Sequence, residues 1–468
     1  MTVPPEPGSA DVGPDSGSPV PGPGSWARGI LPEGLHPATL AVRGGQVRSP
    51  FAETSETLYL TQGYVYATAA EAEAAFAGEA DRFQYSRYSN PTVSTFEERL
   101  RLIEGAEACT ATATGMSAVF TSLAALVKQG SRIVAGRALF GSTTVIFEEI
   151  LAEWGVRTEY VDAHDVEQWR TALATPADVV FFETPTNPMQ DLVDIAEVSR
   201  LAHAAGAVVV VDNVFATPVL SRPLEHGADV VVYSATKHID GQGRVLGGAI
   251  LGPQEFLDGP VRTLIRNTGP SLSPFNAWVL LKGLETLELR VRAQTAAALE
   301  IARWLEDQPE VADVRYPFLD SHPQVELARR QQTGGGTVVT FTLAVPRTVP
   351  DHGVSDSEVA IDGGLSADGE LSDGEVSSDG APRAEDAAAK AAAFAFLDAL
   401  RLVDISNNLG DAKSIATHPA TTTHRKLGAA GRAAVGIAEA TVRLSVGLED
   451  PRDLIADLAN ALRATARS

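Results

Sequence analysis

The stretch VVVVDN, residues 208–213, decides the fold class, because four consecutive valines end in a carboxylate and an amide. A strand that is apolar at every position is typical of a parallel sheet with helices on both faces. Similar apolar runs occupy residues 179–182 and 230–233, and segments with helical periodicity separate them. This alternation predicts an α/β fold built on a mostly parallel sheet.

The pattern extends over most of the chain. Strands are predicted at residues 132–135, 158–162, 179–183, 208–212, 230–233 and 249–251, and helices at 94–104, 116–127, 142–154, 196–205 and 274–304. A second pattern, with strands at 336–343 and 442–447 and a helix at 387–401, predicts a smaller C-terminal α+β domain. The predicted organisation is a tail (1–33), an N-terminal arm (34–80), a large domain (81–285) and a C-terminal domain (286–468).

Two segments are predicted to be disordered. Residues 1–33 are rich in Pro, Gly and Ser, and residues 351–386 carry eleven acidic residues against Arg383 alone. Neither has enough large apolar residues to bury the surface that ordering requires. The acidic segment is therefore predicted to be a solvated loop inserted in the C-terminal domain.

Composition excludes several classes of function. The net charge of −23 disfavours nucleic acid, whose phosphates need basic patches. There is no P-loop and no histidine spacing typical of a metal site. A single cysteine, the absence of a signal-like start and the absence of about 20 consecutive apolar residues predict a cytoplasmic protein.

Polar residues follow three of the predicted strands, at the edge where α/β sheets bind ligands. They are Asn187, Asp212 and Lys237, the last with Ser234 and Thr236 beside it. Pyridoxal phosphate (PLP) needs a lysine for a Schiff base, a carboxylate at its ring nitrogen and donors for its phosphate.

Other residues fit the same cofactor. Gly115 and Met116 open an apolar helical pattern where an anion could bind. Phe140 follows another strand and could cover a ring. Each of these residues taken singly also fits an ordinary structural role in a turn, a helix cap or a solvated loop. Both the structural and the cofactor-binding interpretation stay open at this point.

Rival motifs are weaker. Ser234 and Lys237 match the S-x-x-K pattern of serine acyl-enzymes, but the accompanying S-D-N and K-T-G motifs are missing. Gly241 and Gly243 do not begin a βαβ unit, so they make a poor dinucleotide fingerprint.

Four motifs, however, resemble those of the Cys/Met-metabolism PLP enzymes. They are YSRYSNPT at 85–92, ETPTNP at 183–188, SATKH at 234–238 and VRLSVGLED at 442–450. The resemblance covers nearly all of residues 36–468 apart from the acidic segment. It implies the PLP-dependent transferase fold type I, which is aspartate-aminotransferase-like.

The resemblance also implies residue roles. Lys237 would be the Schiff-base lysine and proton shuttle, Asp212 the partner of the ring nitrogen, and Asn187 a neighbour of the ring hydroxyl. The phosphate would be bound by Gly115, Met116, Ser234 and Thr236.

Tyr85 and Arg87 would complete the phosphate site of a neighbouring subunit, in a homotetramer built from dimers that share active sites. Arg443 would bind the substrate carboxylate, with Asn408 and Tyr85 nearby. No metal is expected.

Within the family, residues 407–414 (NNLGDAKS) and 418–424 (HPATTTH) look most like those of the homoserine-ester sulfhydrylases. Ser142 stands near the position where methionine lyases carry a reactive cysteine, which argues against a lyase specialised for methionine. Phe140 stands where many members have tyrosine, a departure that keeps ring stacking but loses any role of that hydroxyl in proton transfer. The expected reaction is γ-replacement on O-succinylhomoserine by sulfide, giving homocysteine. The alternatives are a cystathionine γ-synthase, a γ-lyase, or a non-catalytic scaffold. The acyl group and the sulfur donor stay open.

Overall fold

A computed structural model describes residues 31–49, 51–344 and 384–465 of the chain. The predicted tail, except for residues 31–33, and the predicted acidic loop, except for residues 384–386, lie outside the described residues. Those last three residues correct the prediction, because a helix begins at Ala384. Glu385 and Asp386 fall in its first turn, where acidic side chains are stabilised by the helix dipole.

A seven-stranded sheet forms the larger half of the described chain. Its strands, in the spatial order β1-β7-β6-β5-β4-β2-β3, are β1 (Ala108–Thr112), β2 (Arg132–Gly136), β3 (Arg157–Val161), β4 (Val179–Glu183), β5 (Val208–Asp212), β6 (Val230–Ser234) and β7 (Gly248–Gly252). Strands β2 to β6 pair in parallel, whereas β7 is antiparallel to both of its neighbours. The sheet is therefore mostly parallel, as predicted.

Helices cover both faces of this sheet. In chain order they are α1 (Pro37–Arg43), α2 (Ala69–Ala77), α3 (Pro91–Glu104), α4 (Gly115–Leu126), α5 (Gly141–Val145), α6 (Val166–Ala172), α7 (Ile195–Ala204), α8 (Thr217–Leu220), α9 (Gln254–Phe256), α10 (Arg262–Thr268) and α11 (Pro274–Glu285). Val210 packs into the core on one face of the sheet, and Val209 and Val211 pack into the core on the other. The valine run is apolar throughout because both faces are buried.

A second, five-stranded sheet has the order β10-β11-β12-β9-β8. Its strands are β8 (Val311–Arg315), β9 (Val338–Leu343), β10 (Asp404–Ile405), β11 (Ile415–Thr417) and β12 (Thr441–Ser445). The helices that follow α11 are α12 (Leu287–Glu306), α13 (Val325–Gln331), α14 (Ala384–Ala399), α15 (Gly428–Ala434) and α16 (Pro451–Thr465). Helix α12 begins in a core of the large sheet and ends in the core of the small one, so it links the two halves.

Three local features, among others, differ in detail from the sequence prediction. The edge strand β1, which reads ACTAT, lacks a strong apolar pattern and was not predicted. The helix predicted at 274–304 breaks at Thr286, where the carbonyl of Gly283 accepts a hydrogen bond from the Arg290 guanidinium. The helix predicted at 142–154 contains a π-helical stretch, Ile146–Leu151.

Across the described ranges, no helix is both long enough and apolar enough to span a membrane.

Candidate active site

A cavity of about 230 Å³ lies at the carboxyl ends of β4, β5 and β6. Nine of the predicted site residues line it: Gly115, Met116, Phe140, Asn187, Asp212, Ser234, Thr236, Lys237 and Arg443. Parallel strands deliver their final residues to one edge, so residues far apart in the sequence meet there.

Two carboxyl groups end adjacent strands of the sheet. Glu183 and Asp212 are opposite each other in the β4–β5 register. Burial raises the pKa of Asp212 to about 6, although a hydrogen bond from the Val214 N–H (3.0 Å) and the charge of Lys237 oppose the shift. Burial and the nearby Asp212 raise the pKa of Glu183 well above its usual range. Two buried carboxyls so close together favour a cationic group between the strand ends.

Lys237 lies in the turn that follows β6. Its backbone N–H donates to the Ser234 carbonyl at 3.2 Å, which fixes the turn. Its Nζ donates to the Asn408 side-chain oxygen. Burial, assisted by the charge of Arg443 and opposed by that of Asp212, lowers the lysine pKa to about 8. A fraction of the amine is therefore neutral near pH 7, as proton transfer requires.

The start of α4 forms a cradle for an anion. Thr114 caps this helix by accepting from the Ser117 N–H at 3.0 Å, and the first turn of a helix leaves further N–H groups without partners inside the helix. A Cβ at Gly115 would lie 2.5 Å from the Cβ of Ser234, so only glycine allows this approach of helix and strand end. Ser234 and Thr236 both line the cavity at this point. The arrangement suits a phosphate group.

Arg443 reaches the cavity from the middle of β12 and is only 1% exposed. Its Nη1 donates to the Asn187 side-chain oxygen at 2.9 Å, and its Nη2 donates to the carbonyls of Asn407 and Asn408, each at 2.9 Å. Its Nε has no partner among the described residues. Burial lowers the arginine pKa to about 10. A guanidinium held in this way with a free donor suits an incoming carboxylate.

Tyr85 and Arg87 do not line the cavity of their own chain. The Arg87 guanidinium lies over the rings of Tyr85 and Tyr88, 5.3 and 5.0 Å from their centroids. The family resemblance implies that they act in a neighbouring subunit, and that role stays a prediction.

Several residues that line the cavity were not among those predicted from the sequence. Glu183 ends an apolar strand as Asp212 does, and it also accepts a hydrogen bond from the backbone N–H of Phe140 at 2.6 Å. Its position at a strand end was a signal that could have identified it. Leu246, Leu409 and Thr423 line the cavity from loops, where no sequence period marks them.

The residues present fit PLP. The anion cradle at Gly115, the buried carboxyls and Lys237 all line one cavity, so phosphate, ring-nitrogen and amine functions each meet a matching group there. The pKa of Asp212 indicates a carboxyl that a cationic ring nitrogen would stabilise. Among the residues that the structure describes, no group of His, Cys, Asp or Glu could hold a metal ion.

Comparisons with known proteins agree with this geometry. The family model described as Cys/Met metabolism PLP-dependent enzyme matches residues 38–357 and 384–463. A Mycobacterium tuberculosis protein named O-succinylhomoserine sulfhydrylase is 59% identical over 92% of this chain and 97% of its own length. A protein of the same name from Pseudomonas aeruginosa is 45% identical over 94% and 99%.

Solved structures give the same result. A cystathionine gamma synthase from Xanthomonas oryzae pv. oryzae, in complex with aminoacrylate and cysteine, has a TM-score of 0.79 to this chain at 29% identity. It covers 92% of this chain and 99% of its own.

Proposed function

The chain belongs to the family of Cys/Met metabolism PLP-dependent enzymes, and from this premise we propose that it is an O-succinylhomoserine sulfhydrylase. In this reaction sulfide replaces succinate at the γ-carbon, and homocysteine is formed. The observation that carries the proposal is the 59% identity, over 92% of the chain, to the M. tuberculosis protein of that name.

The cofactor is pyridoxal 5'-phosphate. When bound, it withdraws electrons from the amino-acid carbons and so makes their protons removable. Asp212 would hold the proton of the ring nitrogen. Gly115, Met116, Ser234 and Thr236 would bind the phosphate, Asn187 would lie at the ring hydroxyl, and Phe140 would cover the ring.

Lys237 is the proton carrier of the proposal. A pKa of about 8 allows its Nζ to accept a proton from the substrate and to return one within a single turnover. The contact with the Asn408 side chain directs the Nζ toward the small-sheet side of the cavity. The same amine can therefore serve successive proton transfers at adjacent carbons.

Arg443 would bind the α-carboxylate of the substrate. Its contacts with Asn187 and with two backbone carbonyls hold the guanidinium plane, which orients the amino acid before reaction. Burial is the main cause of the lowered Lys237 pKa, and the charge of Arg443 adds to it in the substrate-free cavity.

A cystathionine γ-synthase is the second candidate, because one of the similar structures has that name and contains cysteine. That reaction must bind the carboxylates of two amino acids. Among the residues that the structure describes, the cationic side chains that line the cavity are Lys237 and Arg443. O-succinylhomoserine already carries two carboxylates, and a cysteine co-substrate would add a third, for which the described cavity has no further guanidinium; this favours sulfide, which has no carboxylate.

We also propose that the enzyme is a homotetramer built from two dimers that share active sites. We propose further that it acts in the cytoplasm. Tyr85 and Arg87 would complete a neighbour's phosphate site. Tyr85 forms an isolated antiparallel β-bridge with Gly63. The apolar side chains of Leu60 and Val65, close by in the sequence, are 70% and 88% exposed in the single chain, and a neighbouring subunit could cover them. Mixing inactive Arg87→Ala and Lys237→Ala subunits would restore activity if sites are shared, and would leave none if each chain is independent.

Product identification tests the proposed reaction. O-succinylhomoserine would be offered to the PLP-loaded protein with sulfide, with cysteine and alone. Homocysteine from sulfide should form much faster than any other product. Dominant cystathionine would assign the synthase reaction, and dominant 2-oxobutanoate would assign a lyase; either would contradict the sulfhydrylase.

A further inference from the structure

A second cavity, of about 540 Å³, lies between α8, α12 and α13, and we call it the α12 cavity. None of its lining residues lines the candidate active site. It has more than twice the volume of the active-site cavity, and neither the family motifs nor the proposed reaction uses it.

The floor of the α12 cavity contains two buried polar side chains with no partner. Ser221 and Gln332 are each 6% exposed, and both line the cavity. The Ser221 hydroxyl and the Gln332 side-chain oxygen lack a hydrogen-bond partner among the described residues. Buried polar groups are rarely left unpaired, so these two call for a molecule that supplies partners. The glutamine oxygen requires a donor, and the hydroxyl can give or accept.

The mouth of the cavity is cationic. Four arginines line it, namely Arg222, Arg292, Arg329 and Arg330, against the two carboxylates Glu225 and Glu288. Arg222 pairs with Glu225 at 2.7 Å, and Arg292 pairs with Glu288 at 2.8 Å. Arg329 pairs with Asp320 and Glu326, and Arg330 pairs with Asp194; because these carboxylates lie outside the lining, the lining itself has four arginines against two carboxylates.

We propose that the α12 cavity binds a small anionic metabolite that has a carboxylate or phosphate at one end and a hydrogen-bond donor at the other. The arginines bind the anionic end, because guanidinium groups match carboxylate and phosphate oxygens. The donor meets the Gln332 oxygen, and Ser221 bonds to the polar middle of the ligand. The volume suits a molecule of amino-acid size or somewhat larger.

The site is connected to the active site through the segment that follows Asp212. The side chain of Asn213 donates to the Ser221 carbonyl at 2.8 Å and to the Tyr233 hydroxyl at 2.7 Å. Thr217 lies between Asn213 and Ser221 in the sequence, and its φ of 61° is unusual for a β-branched residue. A ligand at Ser221 therefore contacts the same backbone segment that presents Asp212.

Binding to the full-length, PLP-loaded protein tests the proposal, with calorimetry as the readout. The probes are inorganic phosphate, succinate and malate; malate adds a hydroxyl donor to the succinate framework. Phosphate binding alone would identify a phosphate-type ligand, and tighter binding of malate than of succinate would identify a hydroxy- or amino-carboxylate. Either result supports the site if the cavity variants below weaken the binding, because succinate, the proposed product, can also bind the active site. Absence of binding by all three at about 10 mM, a level that detects even weak affinities, would overturn the proposal and leave the cavity to water.

Variants locate the binding. The double variant Arg222→Gln/Arg292→Gln should weaken the bound probe at least about tenfold, and Gln332→Met should abolish any advantage of malate over succinate. The matched control is Arg200→Gln, an exposed arginine paired with Glu197 on α7, which should change nothing. Thermal unfolding of each variant checks that it folds. If the double variant does not fold, Gln332→Met alone tests whether the probe binds in the α12 cavity. Affinities equal in all folded variants would also overturn the proposal.

Discussion

The seven-stranded sheet contributes to the active site with the residues that end its strands, whereas the five-stranded sheet contributes from the middle of a strand. Asp212 and Ser234 are the last residues of β5 and β6, but Arg443 is the third of five residues in β12. In the proposed function, the first sheet would provide groups for the cofactor and the second would provide groups for the substrate. The two contributions should therefore fail separately when mutated.

The two regions meet at side-chain hydrogen bonds. Arg443 donates to Asn187, which follows β4 in the large sheet, and Lys237 donates to Asn408 in the small-sheet half. Each region thus positions one residue of the other. A mutation that impairs only cofactor binding or only substrate binding would support this division between the two sheets. A mutation that impairs both equally would contradict it.

The largest effect is expected for Lys237→Ala. Loss of the proton carrier should lower kcat by about 10³-fold or more. Steady-state homocysteine formation is the measurement. Lys413→Ala, which alters an exposed lysine, is the control and should keep normal turnover. Appreciable turnover by Lys237→Ala without added amine would contradict the assigned role.

The next effect concerns the stability of cofactor-free protein. Because burial raises the Asp212 pKa from 3.8 to about 6, the folded state holds this proton more tightly than the unfolded chain does. The resulting stability is full below about pH 4 and is lost as the pH rises through 6. Asp212→Asn removes the titration.

Cofactor-free Asp212→Asn should therefore be more stable than cofactor-free wild type at pH 8, by on the order of 1–3 kcal/mol, and the gain should vanish near pH 4. Urea unfolding at the two pH values measures it. With PLP bound, the order should reverse, because Asp212 then gains a cationic partner. A gain that is the same at both pH values would show that the carboxyl is not responsible.

Arg443→Lys tests the substrate side. A lysine cannot make the planar, multiple hydrogen bonds of the guanidinium. KM for O-succinylhomoserine should rise roughly 10- to 100-fold, the loss of one or two charge-assisted hydrogen bonds. The visible absorbance of bound PLP should persist. Loss of the cofactor from this variant would break the separation between the two regions.

Asn408→Ala should have the smallest effect. Its amide holds the Lys237 Nζ and does not itself react. We expect kcat to fall about two- to tenfold, within the usual contribution of one hydrogen bond, with a larger share of product formed without sulfide. Asn408→Asp, which keeps an acceptor, is the matched variant. If the two variants behave identically, the contact has no positioning role.

The cofactor side was easier to predict from the sequence than the substrate side. Asp212 and Lys237 follow apolar runs, so strand ends mark them, and parallel pairing brings them together. The contacts of Arg443 with Asn187 and with two backbone carbonyls depend on how the two sheets pack, which no local pattern encodes. The role of Arg443 came from a family motif alone.

Two further features were not predicted because they depend on contacts made only in the folded chain. The carbonyl that ends α11 is bonded by the side chain of Arg290, a tertiary contact that overrides an otherwise continuous helical period. The α12 cavity depends on Ser221 and Gln332, which look ordinary in the sequence and are distinctive only because packing buries them without partners. Burial of that kind is a property of the assembled fold.

One measurement tests the division between the two sheets most directly, namely titration of PLP into cofactor-free Asp212→Asn and Arg443→Lys, followed by visible absorbance. The account predicts that Asp212→Asn binds the cofactor at least about tenfold more weakly than wild type does, since a buried charge pair is lost, while Arg443→Lys binds it normally. Equal affinities for both variants, or a weaker affinity in Arg443→Lys alone, would contradict the account.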